Sequence, residues 1–138
     1  MRCLAFIPSK GRPDNIAKNV EPFMQRLGID YRIFVEPQDK GAYNFKNVIV
    51  LEQNDQGLGY STGFAKKYAE EKGYDLVFRI DDDVKGIGQI ENDMDKIIKS
   101  FDISKVGAVV FPYDFEWYAK SEKLFSKKKQ ALPNLLHN

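Results

Sequence analysis

Leu76-Val77-Phe78-Arg79-Ile80-Asp81-Asp82-Asp83 is the stretch whose reading decides the fold of this chain. An apolar run that ends in clustered carboxylates reads as a buried strand delivering negative charge to the rim of a sheet. Carboxylates this close disfavour one another's ionisation unless a cation neutralises them. A hard divalent ion with oxygen ligands, Mn2+ or Mg2+, does so and keeps positions open for substrate phosphates. The stretch therefore points to a metal-dependent site for a phosphate-bearing ligand. The plainer alternative is a solvated acidic turn.

Working outward, the same kind of run recurs along the chain. Cys3–Ile7, Tyr31–Val35, Val48–Leu51, Leu76–Ile80 and Val106–Phe111 read as strands, the first apolar throughout, as suits burial on both faces. Between them lie helical patterns. Asp14 or Asn15 can cap a helix that carries Ile16, Val20, Phe23 and Leu27 on one side, with a kink or restart at Pro22 and an end at Gly28. A second helix is expected over about Ser61 to Lys72, with Phe64, Ala65, Tyr68 and Ala69 inward and Gly73 as its stop. Ile90, Met94, Ile97, Ile98 and Phe101 form the stripe of a third. Strands alternating with helices predict an α/β fold: one three-layer domain around a mostly parallel sheet, with a core over residues 1–111 and an extension over 112–138.

Composition narrows the function classes. A chain of 138 residues with 43% hydrophobic and 13% aromatic residues can bury a real core. The net charge of +1 gives no global electrostatic case for nucleic acid. Cys3 has no second cysteine to pair with and lies in an apolar run, so it reads as a core residue. His137, the one histidine, stands next to the end, which argues against histidine catalysis. No apolar stretch approaches the ~20 residues of a membrane span, and the expected location is the cytoplasm.

In an open α/β sheet, ligands bind beyond the carboxyl ends of the strands. Four loops should meet there: Pro8-Ser9-Lys10-Gly11-Arg12, Glu36-Pro37-Gln38-Asp39, Glu52 through Gly59, and the Asp triplet. Arg12 can bond a pair of phosphate oxygens. Gly57 and Gly59, ahead of a helix, would let backbone N–H groups approach an anion, although Gly-x-Gly more often serves a turn.

These pieces carry a resemblance. Ile7-Pro8-Ser9-Lys10-Gly11-Arg12-Pro13-Asp14, Val35-Glu36-Pro37, Gly57-Leu58-Gly59 with Gly63, and Phe78 through Asp83 resemble the nucleotide-binding half of GT-A type glycosyltransferases of the family-2-like inverting group. The opening segment is similar to that of phage-encoded glycosyltransferase-like proteins, some of which modify DNA bases. The resemblance covers about residues 3 to 111 and implies a nucleotide-sugar donor, a UDP-sugar first, bound with Mn2+ or Mg2+. It implies Asp81 and Asp83 as the Asp-x-Asp metal motif, with Asp81 and Asp82 toward the donor. It places Pro8, Ser9, Arg12, Glu36 and Asp39 around the nucleoside. Asn54, Gly57, Gly59 and Thr62 would line the base or diphosphate. Asp114 and Glu116 stand where the family's catalytic base is sought, although a surface carboxylate is the plainer reading of each. Compared with that fold, the chain is expected to be short in its C-terminal half.

Other readings use the same residues. A calcium loop starting at Asp81 would put Lys85 and Asn92 at ligand positions, which rejects it. An aspartyl phosphatase needs its Asp-x-Asp strand early in the chain, and a sugar-nucleotidyltransferase needs a glycine-rich loop directly after the first strand. The competing class is a catalytically incomplete nucleotide or nucleotide-sugar binding module acting with a partner subunit or a second copy. Phe115, Trp117 and Tyr118 could form that contact, or could cover the open edge of the sheet. Lys127 to Lys129 reads as a solvated helix end, or as a contact to an acidic acceptor such as nucleic acid.

Overall fold

The computed structural model describes residues 2–86 with Asn92 and Lys96, and the backbone of 108–110, 116–119 and 129–130. Among the described residues seven strands form one sheet: β1 (Cys3–Ser9), β2 (Asp30–Val35), β3 (Val48–Val50), β4 (Leu76–Arg79), β5 (Ala108–Val110), β6 (Glu116–Ala119) and β7 (Lys129–Gln130). Their spatial order is β3-β2-β1-β4-β6-β5-β7. The first four are parallel, as the alternation of strands and helices predicts.

The fifth expected strand is a correction. β5 is described over Ala108–Val110, within the expected Val106–Phe111, and it does not neighbour β4. Its place is taken by β6, antiparallel to both β4 and β5. The physical reason lies in connection length: a strand returning after a short link pairs antiparallel with the one before it, because a parallel return needs a crossover. Trp117 and Tyr118 therefore belong to a strand inside the sheet and do not cover its edge. β4 is paired on both sides, with β1 and β6. The expected third helix lies outside the described residues, as does Phe115.

Period-two alternation divides the core between the two faces. Ala5 and Ile7 of β1 join Ile33 and Val35 of β2, Leu76 and Phe78 of β4, and Ile80 on one face. There they meet Ile16, Val20, Phe23 and Met24 of the first helical segment. Leu4, Phe6, Phe34 and Val77 point to the other face and pack on Ala65 and Ala69 of α2 (Gly57–Glu71). Phe34 packs edge-on against Phe6, Phe64 and Tyr68, with ring centroids 5.1, 6.1 and 5.6 Å away. Cys3 packs on the first of these cores, and burial pushes its thiol up, which keeps it unreactive.

The first helical segment restarts near Pro22 as expected, through a π-helical turn. Ile16–Val20 is π-helical and continues into α1 (Glu21–Leu27), with Pro22 in the first turn of α1. Proline has no N–H to return to the carbonyl four residues back, so the narrower ladder cannot run through. Neither expected cap forms at its start: Asn15 has helical backbone angles and makes no side-chain cap. Instead the N–H groups of Asn15 and Ile16 donate to the carbonyls of Arg12 and Pro13. Gly28 ends α1 in the left-handed region at φ 66°, with its N–H on the Met24 carbonyl. α2 begins four residues earlier than the helical stripe suggests, at Gly57, so Gly57-Leu58-Gly59 forms its first turn.

The strand order positions the site. From β1 the chain steps to β2 and β3 on one side, then crosses by way of α2 to β4 on the other. The loops after β1 and β4 diverge at this reversal and leave a crevice at the carboxyl ends of the two strands, where open α/β sheets bind ligands.

Candidate functional site

Which aspartate faces inward follows from the strand. Phe78 and Ile80 point into the core, and the same parity carries Asp82 inward, fully buried, while Asp83 is exposed and Asp81 stands between these extremes. A solvated acidic turn, the plainer reading of the triplet, does not describe the buried middle carboxylate. Continuing the period-two pattern past Ile80 is the signal that finds it.

Asp82 is the centre of a closed ring. Its Oδ2 accepts from Ser9 Oγ at 2.6 Å, and Ser9 Oγ lies 2.7 Å from the Tyr43 hydroxyl. That hydroxyl accepts from the Arg12 backbone N–H at 3.0 Å. The Arg12 guanidinium returns to Asp82, with Nη2 2.6 Å from Oδ1. This last contact is a close ion pair without hydrogen-bond alignment, since Oδ1 is buried and has no hydrogen-bond donor of its own. Asn19, on the π-helical turn, donates from Nδ2 to the Asp82 carbonyl at 3.4 Å. π-turns of this kind recur at functional sites.

A second network joins the loops after β1, β2 and β3 around Glu36, which is buried. Glu36 Oε1 accepts from Gln38 Nε2 at 2.6 Å, and Oε2 accepts from the Asp55 N–H at 2.9 Å. Lys10 Nζ lies 3.4 Å from Glu36 and 2.5 Å from Asp55 Oδ1. The bond from Lys10 holds the Asp55 carboxyl below its usual range, and the same bond raises Lys10. Asp55 sits in the left-handed region at φ 57°, which aspartate tolerates better than most residues. Asp39 Oδ2 accepts from the Gly11 N–H at 2.9 Å, and Asn54 Oδ1 from the Gln38 N–H at 2.9 Å.

Between the two networks lies an open cleft of about 450 Å³. Pro8, Ser9, Arg12, Glu36, Gly57 and Asp81 line it, as the loop argument expects, together with Lys10, Phe34, Leu51, Asp55, Leu58 and Ser61. Asp39 and Asn54 brace its loops without lining it. Gly59 faces elsewhere, onto a second groove with Glu52, Tyr60 and Phe64, and Thr62 does not line the cleft, where Ser61 stands instead. The helical screw explains both: once α2 starts at Gly57, residues 57, 58 and 61 share the cleft side. Asp114 lies outside the described residues. Glu116 opens β6; one step along the antiparallel register from the Phe78–Trp117 pair, its backbone reaches the rim end of β4.

Tyr43 and Asn19 carry no signal in the sequence, and Gln38 and Asp55 were placed only as members of the converging loops. Tyr43 follows the short 3-10 segment Pro37–Ala42 and belongs to no recognisable motif; its place at the rim comes from tertiary packing. Among the described residues, no group of three or more acidic, histidine or cysteine side chains could hold a metal ion. The donor set at the rim suits the other mode of Mg2+ and Mn2+ binding, in which one or two carboxylates act together with substrate phosphates. None of the described helices is long and apolar enough to cross a membrane.

Comparison with known proteins places this geometry. The chain superposes on a protein from Desulfovibrio desulfuricans G20, provisionally described as a nucleotide-diphospho-sugar transferase, at TM-score 0.56 and 16% identity, over 86% of this chain and 64% of that one. It superposes on a cytidylyltransferase from Leptospira borgpetersenii serovar Hardjo-bovis (strain JB197) at TM-score 0.54 and 13% identity, over 86% and 60%. The chain thus spans less than two thirds of either protein, and at these identities the likeness is one of fold. A search of curated proteins found no match. The family model of the TET-associated glycosyltransferases matches residues 4–105, which include both networks and the whole Asp triplet. The chain belongs to the TET-associated glycosyltransferase family.

Proposed function

We propose that the cleft between β1 and β4 binds the diphosphate and nucleoside of a nucleotide-sugar, a UDP-sugar first, and that the sugar is transferred from it to an acceptor hydroxyl. The observation that carries this reading is the convergence of Ser9, Arg12, Glu36, Asp55 and Asp81 on one cleft at the point where the strand order reverses. The charge balance supports a metal. Glu36, Asp55 and Asp81 face Lys10 and Arg12 in the lining, and both cations already stand against carboxylates. An anionic diphosphate entering there needs added positive charge. Asp81 and Asp83 would hold Mn2+ or Mg2+, which when bound would stabilise the charge developing on the leaving diphosphate.

The rest of the reaction falls to the protein. The bond from the sugar's anomeric carbon to the diphosphate oxygen breaks, the acceptor oxygen bonds to that carbon, and the acceptor proton passes to a base. Glu116, whose backbone reaches the rim, is our first candidate for that base and Asp114 the second. Nucleic acid is one candidate acceptor class, since some of the phage-encoded proteins that the opening segment resembles modify DNA bases. The test is release of nucleoside diphosphate from a panel of nucleotide-sugars with Mn2+. Turnover should fall by about 10²–10⁴-fold in Glu116→Gln if Glu116 is the base. Binding without turnover in every combination would favour the binding-module reading.

A further inference from the structure

We propose that Tyr43 is a positioning residue of the donor site: its hydroxyl sets the loop that presents Arg12 to the cleft. The proposal rests on the donor-site reading above and concerns how that site is held ready. The direction of each hydrogen bond in the ring can be deduced. Ser9 has one hydroxyl proton, and the Asp82 carboxylate takes it. Ser9 therefore accepts from Tyr43, and the Tyr43 oxygen in turn accepts from the Arg12 N–H. The chain runs one way, from the Arg12 N–H to Tyr43, then Ser9, then Asp82, and the guanidinium of the same Arg12 closes it electrostatically on Asp82.

The two ends of Arg12 are thus fixed by one buried tyrosine and one buried carboxylate, while the side chain itself remains 55% exposed at the cleft. The buried end of such a ring stays put, and the exposed guanidinium is the part that can turn from Asp82 to an anionic ligand. Phenylalanine at position 43 would keep the ring's packing beside Phe45 (centroids 6.5 Å apart) and remove only the hydroxyl relay.

The test uses the full chain, UDP as probe, and Mn2+. Tyr43→Phe should weaken Mn2+-dependent UDP binding by about tenfold, the usual scale for an unmade buried hydrogen bond. In an Arg12→Ala background the same substitution should change binding by less than about twofold, because a residue acting through Arg12 has nothing left to position. Ser9→Ala, which breaks the relay one step later, should behave like Tyr43→Phe. Additive losses in the double variant would overturn the proposal and leave Tyr43 a structural residue. Hydrogen exchange at the Arg12 amide reads the ring without any nucleotide: protection should drop in Tyr43→Phe, and equal protection in both proteins overturns the ring itself. Failure of the wild-type protein to bind UDP, CDP, GDP or ADP would instead overturn the donor-site reading, and with it any role of Tyr43 toward a ligand.

Discussion

Asp81, Asp82 and Asp83 are chemically identical, yet the fold gives each a different exposure. Asp82 continues the inward parity of Phe78 and Ile80 and is fully buried against Ser9 and Arg12, whereas Asp83 is exposed. Removing Asp82 takes away the acceptor of the Ser9 hydroxyl proton and leaves a gap beneath the rim. Asp82→Ala should cost about 1–3 kcal/mol of stability, while Asp83→Ala should stay within about 0.5 kcal/mol. Urea unfolding of the two variants beside the wild type checks this, and equal losses would mean that the parity argument fails. Arg12, Ser9, Glu36 and Asp81 were legible in the sequence because each follows a strand closely enough to be carried to its rim. The roles of Tyr43 and Asp55 were not, because they depend on contacts between loops distant in the chain, and residue type alone does not announce a tyrosine that bonds a serine after another strand.

The elements themselves were largely legible. Strands β1 to β4 and their parallel order followed from apolar runs separated by helical stripes. The insertion of β6 between β4 and β5 was not, because Trp117 and Tyr118 have the aromatic character of a strand and equally that of a surface patch, and only pairing decides. The packing of β2 on α2 turns on Phe34, which is almost fully buried among Phe6, Phe64 and Tyr68. Phe34→Ala should destabilise by about 3–5 kcal/mol, the range for large aromatic deletions in a core, as read by denaturant midpoint.

The start of β2 is also tied to the link between α2 and β4. Asp30 accepts from the Tyr74 hydroxyl and pairs with Arg32 at 2.6 Å. Burial raises the Asp30 carboxyl, but the bonds from Tyr74 and Arg32 outweigh it, and the net shift is downward. A carboxyl lowered on folding contributes stability above its unfolded pKa, near 3.9, and that contribution disappears as pH falls through the folded value. Thermal melts of wild type and Asp30→Asn should therefore differ at pH 6 and converge toward pH 2. A constant difference across that range would contradict the assignment.

At the scale of the whole molecule, one strand-order reversal gathers four loops, and two hydrogen-bond networks hold them apart around a cleft of about 450 Å³. The family is that of the TET-associated glycosyltransferases. The claim that gives the cleft its chemistry is that the Asp triplet binds a metal which in turn recruits a nucleoside diphosphate. Calorimetric titration of UDP into the wild-type chain and Asp83→Ala, each with and without Mn2+, tests it most directly. The wild type should bind UDP only when Mn2+ is present, and Asp83→Ala should lose that binding with no change in melting temperature. Equal UDP affinity with and without Mn2+, or in Asp83→Ala and wild type with Mn2+, would contradict it.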